Sequence, residues 1–168
     1  PLWARLQQPG QVVVLHAASE DLELIHHLAD AMPYRVHDTQ LAAAFTGQGL
    51  SIGFNALSQE LLSIALDKDQ ARTNWLARPL TEKQLEYALA DVTHLRDVYL
   101  ALKAKLDEAG RSLWLTEEMA VLESRDTYDL HPDDAWKRLK MRVKKPRELI
   151  ILKEVAAWRE RIGYLLVD

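Results

Sequence analysis

The spacing of apolar positions changes along this chain, from short β-branched runs near the start to long helical stripes later. Behind Pro9-Gly10, the run Gln11-Val-Val-Val-Leu15 predicts a buried strand. Ser19 then reads as a helix cap, with Glu20 and Asp21 in the first turn where the helix dipole favours acids. That helix is expected to run to about Ala31, burying Leu22, Leu24, Ile25 and Leu28, until Pro33 stops it. Tyr34–His37 predicts a second short strand, and Asp38 or Thr39 the cap of a helix through Leu41–Phe45 that Gly47 and Gly49 close. Ser51–Leu66 has amphipathic helical spacing, and Asp67–Pro79 is polar and non-regular. Leu80-Thr81-Glu82 opens the longest helix, capped by Thr81 and ending at Gly110. Its apolar stripe is Leu85, Leu89, Val92, Leu95, Val98, Tyr99, Leu102 and Leu106. A shorter helix is expected over Leu113–Arg125, then a polar turn over 126–133, a basic stretch after Trp136, and a last helix over Arg147–Arg161 opened by Pro146.

Strand, helix, strand, helix, then several helices is an α/β beginning with a helical ending. Two strands are too few for a stable sheet, so further strands are expected outside this chain. With 48% hydrophobic residues in 168, a core can be buried. Trp3, Trp114, Trp136 and Trp158 are expected to anchor packing. No Cys is present, which removes disulfides, thiolate zinc sites and cysteine nucleophiles, and fits a reducing cytoplasm. No apolar run approaches the roughly 20 residues that span a bilayer, so no membrane role is expected. Pro1-Leu2-Trp3-Ala4-Arg5 does not read as a signal peptide, and the lack of Met there reads as a processed or trimmed start. Net charge is −4, but it is unevenly spread: residues 16–30 are acidic, while Lys137, Arg138, Lys140, Arg142, Lys144, Lys145 and Arg147 form a basic block. An acidic total is compatible with nucleic-acid chemistry where carboxylates hold cations that then meet phosphate.

Three segments carry candidate chemistry. In Tyr87-Ala-Leu-Ala-Asp91 the phenol and the carboxylate share one helix face, about 40° apart at roughly 100° per residue. A carboxylate can hold a divalent cation and a phenol one turn away can orient water, although Tyr and Asp at this spacing occur in many helices. Asp21 lies in a first turn after a strand's C-terminal end, where α/β folds gather ligands. By itself it reads equally as a first-turn acid, and the neighbouring His16 as a strand end. Between Leu66 and Leu80, Lys68, Arg72 and Arg78 accompany Trp75, a composition that can bind phosphates and stack a base, or pin a loop with a buried indole.

Taken together these strings resemble one family. Leu-Asp-Lys…Arg-Thr-Asn-Trp…Arg-Pro-Leu-Thr…Gln-Leu-Glu-Tyr-Ala-Leu-Ala-Asp-Val, with His-Ala-Ala-Ser-Glu-Asp-Leu-Glu at 16–23 and His-Asp-Thr-Gln-Leu-Ala-Ala-Ala-Phe at 37–45, is similar to ribonuclease D and its relatives. The resemblance covers roughly residues 11–108. It implies part of a ribonuclease-H-like (DnaQ-like) exonuclease sheet followed by helices. It also implies four metal-binding acids, of which Asp21 would be the third and Asp91 the fourth, with Tyr87 orienting water. The implied reaction releases nucleoside 5′-monophosphates from RNA 3′ ends with two divalent ions, Mg²⁺ or Mn²⁺, tRNA precursors being the expected substrates. His16, Arg72, Trp75 and Arg78 are the expected substrate contacts. Protein partners are not legible.

The chain departs from the family at one point: the Asp-Thr-Glu strand motif carrying the first two acids has no match. Asp21-Leu-Glu23 has the letters but lies on a helix, and Asp38-Thr-Gln40 ends on the wrong residue. The 168 residues alone are therefore expected to be inactive. The expected organisation is the C-terminal part of an exonuclease domain over 1–110, a helical linker over 111–145, and the start of a helicase-and-RNase-D C-terminal domain over 146–168. The alternatives are a non-catalytic RNA-binding or scaffold fragment and a DNA 3′–5′ exonuclease.

Overall fold

The computed structural model describes residues 2–65, 70–129, 131–139, 141–143 and 145–165, in two compact units, 1–124 and 125–168. After a short helix α1 (Leu2–Leu6), the first unit contains β1 (Val13–Leu15) and β2 (Val36–Asp38), paired parallel with Val14 opposite His37. A parallel pair needs a crossover, and α2 (Ser19–Ala29) provides it. β1 is shorter than the expected 11–15, and β2 begins two residues after Tyr34 and ends one residue after His37, at the capping Asp38. Among the described residues the sheet has these two strands, as expected.

α2 differs from expectation in two ways. Its cap is Ala18, not Ser19, with no side-chain cap bond; a side chain from elsewhere instead accepts the amides of Ala17 and Ala18 just before the helix. Its buried side is Leu22 and His26, one turn apart, while Leu24 and Leu28 are 57% and 66% exposed. α3 (Thr39–Phe45) is capped by Asp38. α4 (Phe54–Leu62) starts later than Ser51 because Gly53 is its cap, and stops where Ser63 turns left-handed. Leu66, where the helix was expected to end, lies outside the described residues, as does Lys68.

α5 (Glu82–Glu108) packs against β1, α3 and α4. Thr81 and Gln84 form a reciprocal capping box at its start. Replacing Thr81 by Ala is expected to cost about 1 kcal/mol. Urea unfolding checks this, and an unchanged midpoint would show the box to be idle. Of the expected apolar stripe, Val98, Leu102 and Leu106 are buried, whereas Leu85, Leu89 and Val92 in the first half are more than half exposed. Periodicity reports which face is apolar, and neighbours decide how much of it is covered.

α6 (Ser112–Glu123) packs on β2 and α3. The amides of Val36 and Asp38 point away from β1, and α6 receives both: Val36 donates to a Glu123 carboxylate oxygen at 2.6 Å and Asp38 to the Met119 sulfur at 3.3 Å. The outer edge of β2 is thereby closed to other strands. Trp114 stays half exposed, edge-on to Phe45, so it is a rim residue and not a core anchor.

In the second unit, two 3₁₀ turns (Arg125–Thr127 and Pro132–Arg138) precede α7 (Pro146–Leu165). The longer turn packs on α7, burying Ala135, Ala156 and Ala157, with the Lys153 ammonium 4.7 Å from the centre of the Trp136 ring. Trp158 is exposed instead. The basic block is partly neutralised within the unit: Lys137 pairs with Asp134 at 2.7 Å and Lys145 with Glu148 at 3.6 Å. Lys140 and Lys144 lie outside the described residues. Among the described residues no helix is long and apolar enough to cross a membrane.

Candidate active site

The turn leaving β1 places Ala17 at φ +58°, a left-handed conformation that a side chain with a Cβ adopts only when held there. Asp38 holds it. One carboxylate oxygen accepts the amide of Ala17 at 3.1 Å, and the other that of Ala18 at 2.8 Å. The same carboxylate accepts the amides of Gln40 at 2.7 Å and Leu41 at 3.4 Å. Asp38 is almost wholly buried. From the end of β2 it thus fixes the first turns of both α2 and α3, and with them the position of Asp21. The sequence shows Asp38 only as a cap of the helix that follows it. Its bonds to Ala17 and Ala18 depend on parallel strand pairing, which brings residues about twenty apart together and leaves no local signal.

Asp21 is exposed in that first turn. Partial burial, then the charges of Glu20 and Asp38, raise its pKa above the ordinary carboxylate value. His16 is engaged on both ring nitrogens: Nδ1 lies 2.9 Å from Thr39 Oγ1, and Nε2 donates to the Ile52 carbonyl at 3.0 Å. Its ring also rests against Phe54. Burial lowers its pKa, with Asp38 and the Ile52 bond opposing. His16 therefore braces the end of β1 against α3 and the loop before α4.

Tyr87 and Asp91 are brought together. Burial first, then the Asp91 carboxylate one turn away, raise the tyrosine pKa. Burial raises the Asp91 pKa, opposed by Tyr87 and by the charge of His94. Trp75 lies against Tyr87, ring centres 5.9 Å apart and tilted by 53°. The indole N–H donates to the Gln70 carbonyl at 3.1 Å. Gln84, buried at the start of α5, donates through Nε2 to Thr73 Oγ1 at 3.0 Å and to the Asn74 carbonyl at 3.3 Å. This latch, which sequence reasoning missed, seats the 70–79 loop on α5 beside Tyr87. The Arg78 guanidinium donates to the Trp75 and Ala77 carbonyls, both at 2.8 Å, so it shapes its own loop. Arg72 is exposed, with no ion pair among the described residues.

The carboxylates of Asp21 and Asp91 are the hard oxygen donors that Mg²⁺ or Mn²⁺ takes. Among the described residues, however, no three His, Asp or Glu side chains converge as a cation site would need. The donors fit a divalent ion in kind and fall short in number.

Residues 1–107 match the 3′–5′ exonuclease family. Over 161 residues the chain is 52% identical to ribonuclease D of Nitrobacter hamburgensis, covering 96% of this chain and 42% of that protein. It is 49% identical to ribonuclease D of Bartonella henselae over 150 residues, 89% of this chain and 37% of that one. The crystal structure of Escherichia coli RNase D, an exoribonuclease involved in structured RNA processing, superposes with a TM-score of 0.81 at 36% identity, covering 97% of this chain and 44% of that one. The chain thus spans less than half the length of these relatives, and over the matched residues its α/β fold is that of the Escherichia coli enzyme.

Proposed function

Because this chain belongs to the 3′–5′ exonuclease family and is similar to ribonuclease D, we propose that it forms part of a 3′→5′ exoribonuclease that releases nucleoside 5′-monophosphates. The observation that carries this reading is the pairing of Tyr87 and Asp91 one turn apart on α5, where each perturbs the other's titration, with Trp75 packed against Tyr87. In the complete site, divalent cations supply Lewis acidity and neutralise phosphate charge. Asp91 and Asp21 contribute two of the carboxylates that hold them. The Tyr87 hydroxyl, one turn from Asp91, orients the attacking water at that edge. The raised carboxylate pKa values fit this role: partial burial disfavours a bare charge there, and a bound cation reverses that. RNA 3′ ends, tRNA precursors among them, are the proposed substrates, met in the cytoplasm. Trp75, packed against Tyr87, and the exposed Arg72 of the same loop serve as substrate contacts, while His16 and Arg78 act by shaping the walls. Residues 1–110 are read as the C-terminal part of the exonuclease domain, 111–145 as linker, and 146–168 as the start of a helicase-and-RNase-D C-terminal domain.

Two outcomes test this. The full-length gene product, incubated with a 3′-labelled tRNA precursor and Mn²⁺, is expected to release 5′-mononucleotides one at a time. Endonucleolytic fragments or no shortening would refute the reading. The 168-residue chain alone, with two acids of four, is expected to leave the same substrate intact, and robust shortening would overturn the assignment of the remaining acids. The other reading is a non-catalytic RNA-binding piece. Under that reading RNA affinity would not respond to divalent ions.

A further inference from the structure

Away from Asp21, Tyr87 and Asp91, the first unit contains a cleft of about 550 Å³ between β2, the second half of α5, and α6. That volume lies within the range of small-molecule sites, which join an apolar floor to a few convergent polar groups. The floor here is aliphatic. His37 and Tyr99 form an aromatic corner, ring centres 4.6 Å apart and nearly perpendicular.

The charges around the cleft are unequally committed. Of its two acids, Glu123 accepts the Val36 amide at 2.6 Å and Asp107 accepts the Ser112 hydroxyl at 2.6 Å. Its two bases, Arg35 and Lys103, are exposed and form no ion pair among the described residues. The two acids and two bases cancel formally, but both carboxylates are tied to neighbouring donors while Arg35 and Lys103 keep their donors for a ligand, and the Lys103 charge is close enough to act on the His37 ring. In addition, His37 Nε2 is buried without a hydrogen-bond partner among the described residues, which a folded protein seldom leaves uncompensated. Burial, with the Lys103 charge adding to it and Asp38 opposing, holds the His37 ring neutral, with a pKa of about 4. A neutral ring can serve an uncharged heterocycle.

We propose that this cleft is a second binding site, for a nucleoside 5′-monophosphate, with Arg35 and Lys103 taking the phosphate and the His37–Tyr99 corner receiving the base. A planar heterocycle joined to a dianion matches both halves of the site, and guanidinium and ammonium groups are the usual phosphate partners. Mononucleotides are what the proposed reaction releases, so the choice of ligand rests on the exonuclease reading. A product that returns to a cleft apart from the catalytic carboxylates reports its own accumulation to α5, the helix that carries Tyr87 and Asp91.

The test is an NMR titration of the ¹⁵N-labelled 168-residue chain with AMP in EDTA. Chelation removes any cation-dependent binding at the catalytic carboxylates, and no turnover is needed. Saturable shifts are expected at the amides of His37, Tyr99, Lys103 and Thr116. Arg35→Gln and Lys103→Gln, both on exposed side chains, are each expected to weaken AMP about tenfold. Adenosine alone and inorganic phosphate alone are expected to bind at least about tenfold more weakly than AMP. Shifts confined to the surroundings of Tyr87 and Asp91, phosphate binding as well as AMP, or two variants that bind like the parent would each overturn the proposal. RNA shortening by the full-length gene product is scored separately, so failure of the exonuclease reading and failure of this site give different results.

Discussion

Asp91→Asn in the full-length gene product is expected to reduce RNA shortening by on the order of 10³-fold while RNA binding persists. A group acting on charge that develops during reaction typically contributes about 10² to 10³ in rate, and groups that act as a unit fail together. Asn keeps the shape but brings no charge to a cation. Gel-shift affinity and single-turnover rates measured on one preparation separate the two effects, and turnover surviving within about tenfold would end the role given to Asp91. Stability provides an independent readout. Because partial burial raises the Asp91 pKa in the folded chain, its contribution to stability is fully present below the ordinary carboxylate range and is lost as pH rises through the raised value. Asn has no charge to disfavour. The variant is therefore expected to melt at or slightly above the parent at neutral pH in EDTA, with the difference shrinking on acidification.

Asp38→Ala is expected to cost about 3 kcal/mol of stability, the larger structural effect. Its carboxylate serves the amides of Ala17, Ala18, Gln40 and Leu41, and removing it strands two helix starts at once. Asp38→Asn retains the oxygen that serves Ala17, Gln40 and Leu41 but sets an N–H against Ala18, so it is expected to cost about 1–2 kcal/mol. Urea denaturation followed by circular dichroism gives both values. A loss under about 1 kcal/mol for the alanine variant would show that the backbone holds these turns without Asp38.

The two strands, the capping of α3 and α5, and the order of helices were legible because each depends on neighbours in sequence: β-branched runs, Asp38 before Thr39, and Thr81 three residues before Gln84. What escaped depends on neighbours in space. His26 is buried on α2 and Leu24 is not, because the side of a helix that gets covered is set by what packs on it. The Gln84 latch joins α5 to a loop ten residues back, and nothing in a polar loop predicts which glutamine will hold it. Of the candidate site, the Tyr87–Asp91 contact follows from helical spacing. Its chemical meaning came from the ordered resemblance over residues 11–108, since the spacing by itself is common.

The sheet is closed on one side only. Glu123 and Met119 occupy the outward amides of β2, whereas Val14 turns its amide and carbonyl away from β2 at an edge that no described strand covers. Sheet growth among the described residues is therefore directional. In a preparation of these 168 residues, β1 is where two molecules would zip together, so its shelf life should fall with concentration. Val12, partly exposed beside that edge, is the position where a lysine would act as a gatekeeper.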